Sequence, residues 1–141
     1  MNRSHFFQHL FAVFGLASFR PAEARTAAPV ARYVLQRSPV RGFYYRQPPE
    51  LLQRLRLGDS LTFRAEPDNS HDPKAVMVWW QNQHIGYLPR EDNTHASFLL
   101  RQGMCLCGRI TGLHPDHLWE PVTIEVLIMQ PTTALEGVAI L

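Results

Sequence analysis

The sequence predicts a mainly β domain, a small barrel of about six short antiparallel strands carrying two short helices. Three observations lead there. From Tyr33 onward apolar and polar residues alternate with a period of two, as in Leu61, Phe63 and Ala65 against Thr62, Arg64 and Glu66, the mark of a half-buried strand. The 11 prolines and 8 glycines cut the 141 residues into short elements joined by many turns. The apolar share of 45% suffices for one core in a chain with room for a single domain of ordinary size. Short strands in antiparallel order favour closure into a barrel.

The domain is expected over residues 38–131, between an N-terminal extension of residues 1–37 and a loose tail of residues 132–141. In the extension, Arg3 and His5 precede a mostly apolar run from Phe6 to Phe19, followed by Pro21 and Ala22-Glu23-Ala24. That order resembles an export signal ending at about Ala24, and Asn2-Arg3-Ser4-His5-Phe6-Phe7 resembles a twin-arginine signal without its second arginine. Cleavage there implies a periplasmic or exported protein; a retained extension implies a cytoplasmic one. Gln8 and His9 break the run below the roughly 20 apolar residues of a membrane span. Thr26 to Arg37 reads as a tether.

Val34, Val40, Phe43 and Tyr45 suggest a first strand, or two broken at Ser38-Pro39, ending in Gly42-Phe43-Tyr44-Tyr45. Pro48-Pro49-Glu50 opens a short helix with Leu51, Leu52 and Leu55 at helical spacing, stopped by Gly58-Asp59. The alternating strand at Leu61 to Ala65 leads to a loop of turn formers, Asp68 to Pro73, which runs into a strand from Ala75 to Trp80. Trp79 and Trp80 point to opposite faces of that strand. Gln81-Asn82-Gln83 turns the chain into a short return strand, His84 to Tyr87, and a second helix spans Arg90 or Asp92 to Gln102 with Gly103 as its stop. Met104 to Leu113 and Val122 to Met129 complete the strands around a loop from His114 to Pro121.

The formal net charge is +2, but residues 39–131 carry nine basic and ten acidic side chains. The positive excess therefore sits in the extension, which argues against a generic polyanion binder, since such binding needs a concentrated cationic face. Thirteen of the fourteen cations are arginine, the side chain suited to bidentate phosphate contacts and to stacking on bases.

Four pieces of the chain, in order, resemble the HIRAN domain, the module at the N-terminus of certain DNA-repair translocases. They are Val40-Arg41-Gly42-Phe43-Tyr44-Tyr45, Gly58-Asp59-Ser60-Leu61, Glu66-Pro67-Asp68-Asn69-Ser70-His71-Asp72-Pro73-Lys74-Ala75-Val76 and Ile85-Gly86-Tyr87-Leu88-Pro89-Arg90. The resemblance covers about residues 38 to 130 and implies an OB-like or SH3-like small barrel that holds the 3′ end of single-stranded DNA. It implies that Asp72 accepts a hydrogen bond from the terminal sugar hydroxyl and that Asn69 fixes the loop or touches the last nucleotide. Tyr44 and Tyr45 would give a stacking face, and Tyr87 and Arg90 would line the same groove and meet phosphates. His71 stands where an aromatic residue is common and keeps a ring that can stack; Trp119 would place a ring against the end base. Tyr44 stands where DNA-binding members have arginine, and no helicase motor follows, so fork remodelling is not expected of this chain alone.

A carboxylate repels an internal phosphate and accepts from a free hydroxyl, so Asp72 would select a strand end; Arg90, Arg46 and Lys74 would supply the local attraction. Without the resemblance, Asn69 and Asp72 read as ordinary turn residues and the tyrosines as strand packing. Cys105, Cys107, His114 and His117 offer sulfur and imidazole for a zinc site, although Cys-x-Cys is tighter than the common spacing; the alternative is two buried strand cysteines beside solvated histidines. No phosphate-cradling glycine loop, nucleophile elbow or spaced acid–base pair is present, so the chain is not expected to be an enzyme and requires no cofactor. The expected function is a nucleic-acid-binding module for single-stranded DNA ends. The alternatives are an exported module for another ligand and a zinc-dependent hydrolase.

Overall fold

The computed structural model describes residues 30–131. The export signal and the loose C-terminal tail that the sequence leads one to expect lie outside them. Six strands form one antiparallel sheet: β1 (Val30–Pro39), β2 (Ser60–Ala65), β3 (Val76–Trp80), β4 (Gln83–Tyr87), β5 (Leu106–Leu113) and β6 (Val122–Pro131). Their spatial order is β1-β6-β5-β2-β3-β4. Two one-turn helices, α1 (Phe43–Arg46) and α2 (Pro49–Leu52), follow β1, and a 3-10 turn (Arg90–Asp92) leads into α3 (Thr94–Arg101) between β4 and β5. The domain is mainly β, as its sequence implies, but the sheet is not closed.

The reason lies at Pro39, which ends β1 and has no N–H to continue a ladder. Beyond it, Val40 N–H donates to Val122 O at 2.8 Å, and Arg41 makes a single bridge to Tyr87, with N···O distances of 2.8 and 2.9 Å. Gly42, at φ +76°, then turns the chain away. Closure between the outer strands β1 and β4 is thus reduced to one rung. Gly86 is required beside it: a Cβ there would stand 2.6 Å from Val40 Cγ1 and collide with the Arg41 carbonyl.

Two sequence expectations fail in this region. Gly42 to Tyr45 does not end a strand; the positive φ of Gly42 starts a helical turn that sends Phe43 into the core, 1% exposed, and Tyr45 outward, 85% exposed. The tether expectation also fails from residue 30, because β1 pairs with β6 along its whole length, with a bulge between Val34 and Gln36. The side chains of Tyr33 and Val34 remain exposed, so backbone pairing rather than side-chain burial defines that strand.

The core lies under the inner face, where Leu61, Val78, Ile85, Ile110, Ile124 and Val126 are buried, and Leu51, Leu52 and Leu55 cover one end. Trp80 belongs to it and donates Nε1–H to Asp59 Oδ2 at 3.0 Å; Trp79 points the other way and is half-buried. On the outer face Glu125 is buried between Arg37 and Arg109, at 2.7 and 2.6 Å, on adjacent strands. The hydrogen bonds from Arg37 and then Arg109 hold its carboxyl below the usual range. The cysteines are not buried together: Cys105 is exposed ahead of β5 and Cys107 is half-buried within it, because the strand starts one residue too late to take in Cys105.

Candidate functional site

The loop between β2 and β3 is built by its own polar side chains. Asn69 Oδ1 accepts from the N–H groups of His71 and Asp72 at 2.9 and 3.0 Å, closing an Asx turn. Asp72 Oδ1 accepts from Lys74 N–H at 2.9 Å, and Oδ2 accepts from Asn93 Nδ2 at 2.6 Å. The Arg101 guanidinium of α3 donates to the Pro73 carbonyl, fastening the loop to that helix. Burial works to raise the Asp72 pKa, yet the Lys74 N–H, the Asn93 amide and the charges of Arg90 and Lys74 together hold it below 3.8. Asp72 is an ionised carboxylate at neutral pH.

Across from the loop, Tyr87 at the end of β4 donates its hydroxyl to Glu66 Oε2 at 2.7 Å and accepts from Arg46 Nη2 at 2.9 Å. Burial and the bond to Glu66 push the phenol up from its ordinary value, so it stays protonated. The Arg46 guanidinium also lies over the Tyr87 ring, 5.1 Å from its centroid. Between these walls is an open groove of about 450 Å³ that includes Arg41, Arg46, Asn69, His71, Asp72 and Arg90 in its lining. Arg41 is held by Glu91 at 2.9 Å and by Glu120 at 2.7 Å, whereas Arg90 has no salt bridge among the described residues.

A second groove, of about 580 Å³, lies on the other side of α1 and is lined by Tyr44, Tyr45, Leu118 and Trp119, among others, with no charged side chain among the described residues. Leu118 and Trp119 are 75% and 66% exposed. Tyr44 packs edge-on against Phe43, with centroids 5.3 Å apart, so it is partly core. The structure therefore brings Asn69, His71, Asp72, Tyr87 and Arg90 together in one groove and sets Tyr44, Tyr45 and Trp119 in another. Consecutive residues serve both: Arg41 and Arg46 line the first, Gly42 and Tyr45 the second.

Two members of the first groove's framework escaped the sequence reading. Asn93, 1% exposed, reads as one more residue of the second helix, yet its place just ahead of α3 puts its amide on Asp72 while its Oδ1 finds no partner among the described residues. Arg41 is visible in the Val-Arg-Gly-Phe piece but only the fold shows that it ties the Trp119 loop, through Glu120, to the rim of the first groove. Of the zinc ligands that the sequence offered, Cys107 lies near the start of β5 and His114 just beyond its end, seven residues on, and among the described residues no three His, Cys, Asp or Glu side chains form a metal-binding group.

No described helix is long and apolar enough to cross a membrane. No curated protein matches the chain at significance. A crystal structure of a protein from Lactobacillus plantarum, a structural-genomics target, is similar at a TM-score of 0.65 and 25% identity, over 72% of this chain and 99% of that one. The crystal structure of the HIRAN domain of human HLTF is similar at a TM-score of 0.59 and 13% identity, over 73% of this chain and 81% of that one, a likeness of fold. The HIRAN domain model matches residues 33–129, nearly all of the described chain. The family is one of DNA-binding modules, which supports nucleic-acid binding here, and the chain belongs to the HIRAN domain family.

Proposed function

We propose that this domain holds the 3′ end of single-stranded DNA, with the terminal sugar hydroxyl at Asp72 in the first groove and the end base against Tyr45 and Trp119 in the second. The observation that carries this reading is the state of Asp72: an ionised carboxylate, fixed by two donors, in a groove that also contains Arg41, Arg46 and Arg90. A carboxylate offers about four acceptor positions, of which two are used, so a hydroxyl can be accepted without breaking the loop. A continuing phosphate brings a second negative charge to the same place and is repelled. The arginines attract the backbone further out, and Arg90 and Lys74 flank the carboxylate. Stacking on exposed rings adds affinity that does not depend on base identity. His71 is exposed at the rim and offers a further ring.

The test is titration of fluorescent single-stranded oligonucleotides with free and 3′-phosphorylated ends at two salt concentrations. The native protein should prefer the free end by about tenfold, the worth of one charge-assisted hydrogen bond. Asp72→Ala should abolish the preference; equal losses on both substrates, or no loss, would refute the reading.

A further inference from the structure

Arg46 and Tyr87 belong to the first groove, but they also end a row of side chains that crosses the outer face of β2, β3 and β4. Arg64 lies over the Trp79 ring, 4.4 Å from its centroid. Trp79 stacks on His84 at 5.3 Å and 18°, and His84 meets the Tyr87 ring edge-on at 4.8 Å. Strand register explains the row, since Thr62, Trp79 and His84 are cross-strand neighbours, as are Arg64, Met77 and Tyr87. His84 donates Nε2–H to the Gly86 carbonyl at 2.8 Å, and burial, reinforced by the Arg46 charge, lowers its pKa, so the ring between Trp79 and Tyr87 is neutral at neutral pH.

We propose that this row is a second binding surface, which takes the nucleotides preceding the terminus that the first groove holds. The inference rests on the strand-end reading above and extends it. A groove of about 450 Å³ has the size of a small-ligand pocket, whereas an OB-type fold engages about 4 or more nucleotides, so the strand must continue onto neighbouring surface. Charge decides the direction. The second groove has no charged lining among the described residues and so offers phosphates nothing there, while the row carries a guanidinium group at each end, Arg64 and Arg46, around the rings of Trp79, His84 and Tyr87, and begins inside the first groove. Glu66, a carboxylate beside this row, is engaged by the Tyr87 hydroxyl. The faces of Trp79 are covered in the free protein, and its Nε1 is buried without a partner among the described residues. When a phosphate draws the exposed Arg64 aside, the indole face opens to a base and the Nε1–H gains access to an acceptor.

The alternative is a row of cross-strand pairs that only stabilises the sheet. Length dependence separates the two. For the native protein, a decanucleotide with a free 3′ hydroxyl should bind more tightly than a trinucleotide with the same end. Arg64→Glu should weaken the decanucleotide about tenfold, flatten its log–log salt dependence by about 0.7, and leave the trinucleotide within about twofold. Trp79→Leu, checked for folding by thermal melting, should reduce the same length advantage. A decanucleotide that binds no better than the trinucleotide, or an Arg64→Glu loss equal for both, overturns the extended surface and leaves the strand-end reading standing. If neither oligomer binds the native protein, both readings fall together.

Discussion

On one side of α1 the side chains hold one another in place; on the other they stand free in solvent. In the first groove Asp72, Tyr87, Asn69 and Arg46 each have hydrogen-bond partners within the protein, so the cost of arranging them is met during folding. In the second, Tyr45, Leu118 and Trp119 expose most of their surface and have little to order them. A preorganised polar site discriminates between ligands, because a wrong partner leaves fixed charges unmatched. Exposed rings add contact area for nearly any base. On the proposed function, the difference assigns selectivity to one groove and affinity to the other.

The largest expected effect destroys the frame that both share. Gly86→Ala drives a methyl into Val40 and the Arg41 carbonyl at the one rung between β4 and the end of β1. It should cost about 2 to 4 kcal/mol in urea denaturation. Next, Tyr45→Ala and Trp119→Ala should each weaken oligonucleotide binding about tenfold, equally for free and blocked ends, with stability changed by less than about 0.5 kcal/mol. An effect confined to free ends would erase the division of labour.

The smallest effect sharpens the comparison inside the first groove. The folded-state pKa of Asp72 lies below its ordinary 3.8, so the stability that it contributes is complete above that value and is lost as pH falls through the folded pKa. In Asn93→Ala one donor is gone while burial remains, so the carboxyl should protonate at a higher pH than in the native protein. NMR titration of the Asp72 carboxyl carbon measures the shift directly; an unchanged midpoint would show that Asn93 does not hold the ionised form.

Much of the fold was legible because the signals were local. Alternation located β2 and the inner face of β6, turn formers marked the loop before β3, and Gly103, at φ +79°, stops α3 as expected. What was missed depended on partners distant in sequence. β1 reaches back to residue 30, where a tether was expected, because β6 offered its edge, and Gly42 broke an apparent strand through a backbone angle that alternation does not encode. At the site, the Asx turn of Asn69 was readable from residue type, and the loop confirms that chemistry. Its contact with α3 was not readable: Asn93 and Arg101 reach the loop across 21 and 28 residues. The division of the aromatic residues between two grooves likewise follows from α1, which the two-fold pattern concealed.

The single rung between Arg41 and Tyr87 has a mechanical consequence. A barrel seam of several rungs opens only when many bonds break at once, whereas this one yields with two. The amides of Arg41 and Tyr87 should then exchange with deuterium sooner than those inside the β5–β6 ladder, and a strand lying across both grooves would act as the missing stitches, slowing that exchange when bound.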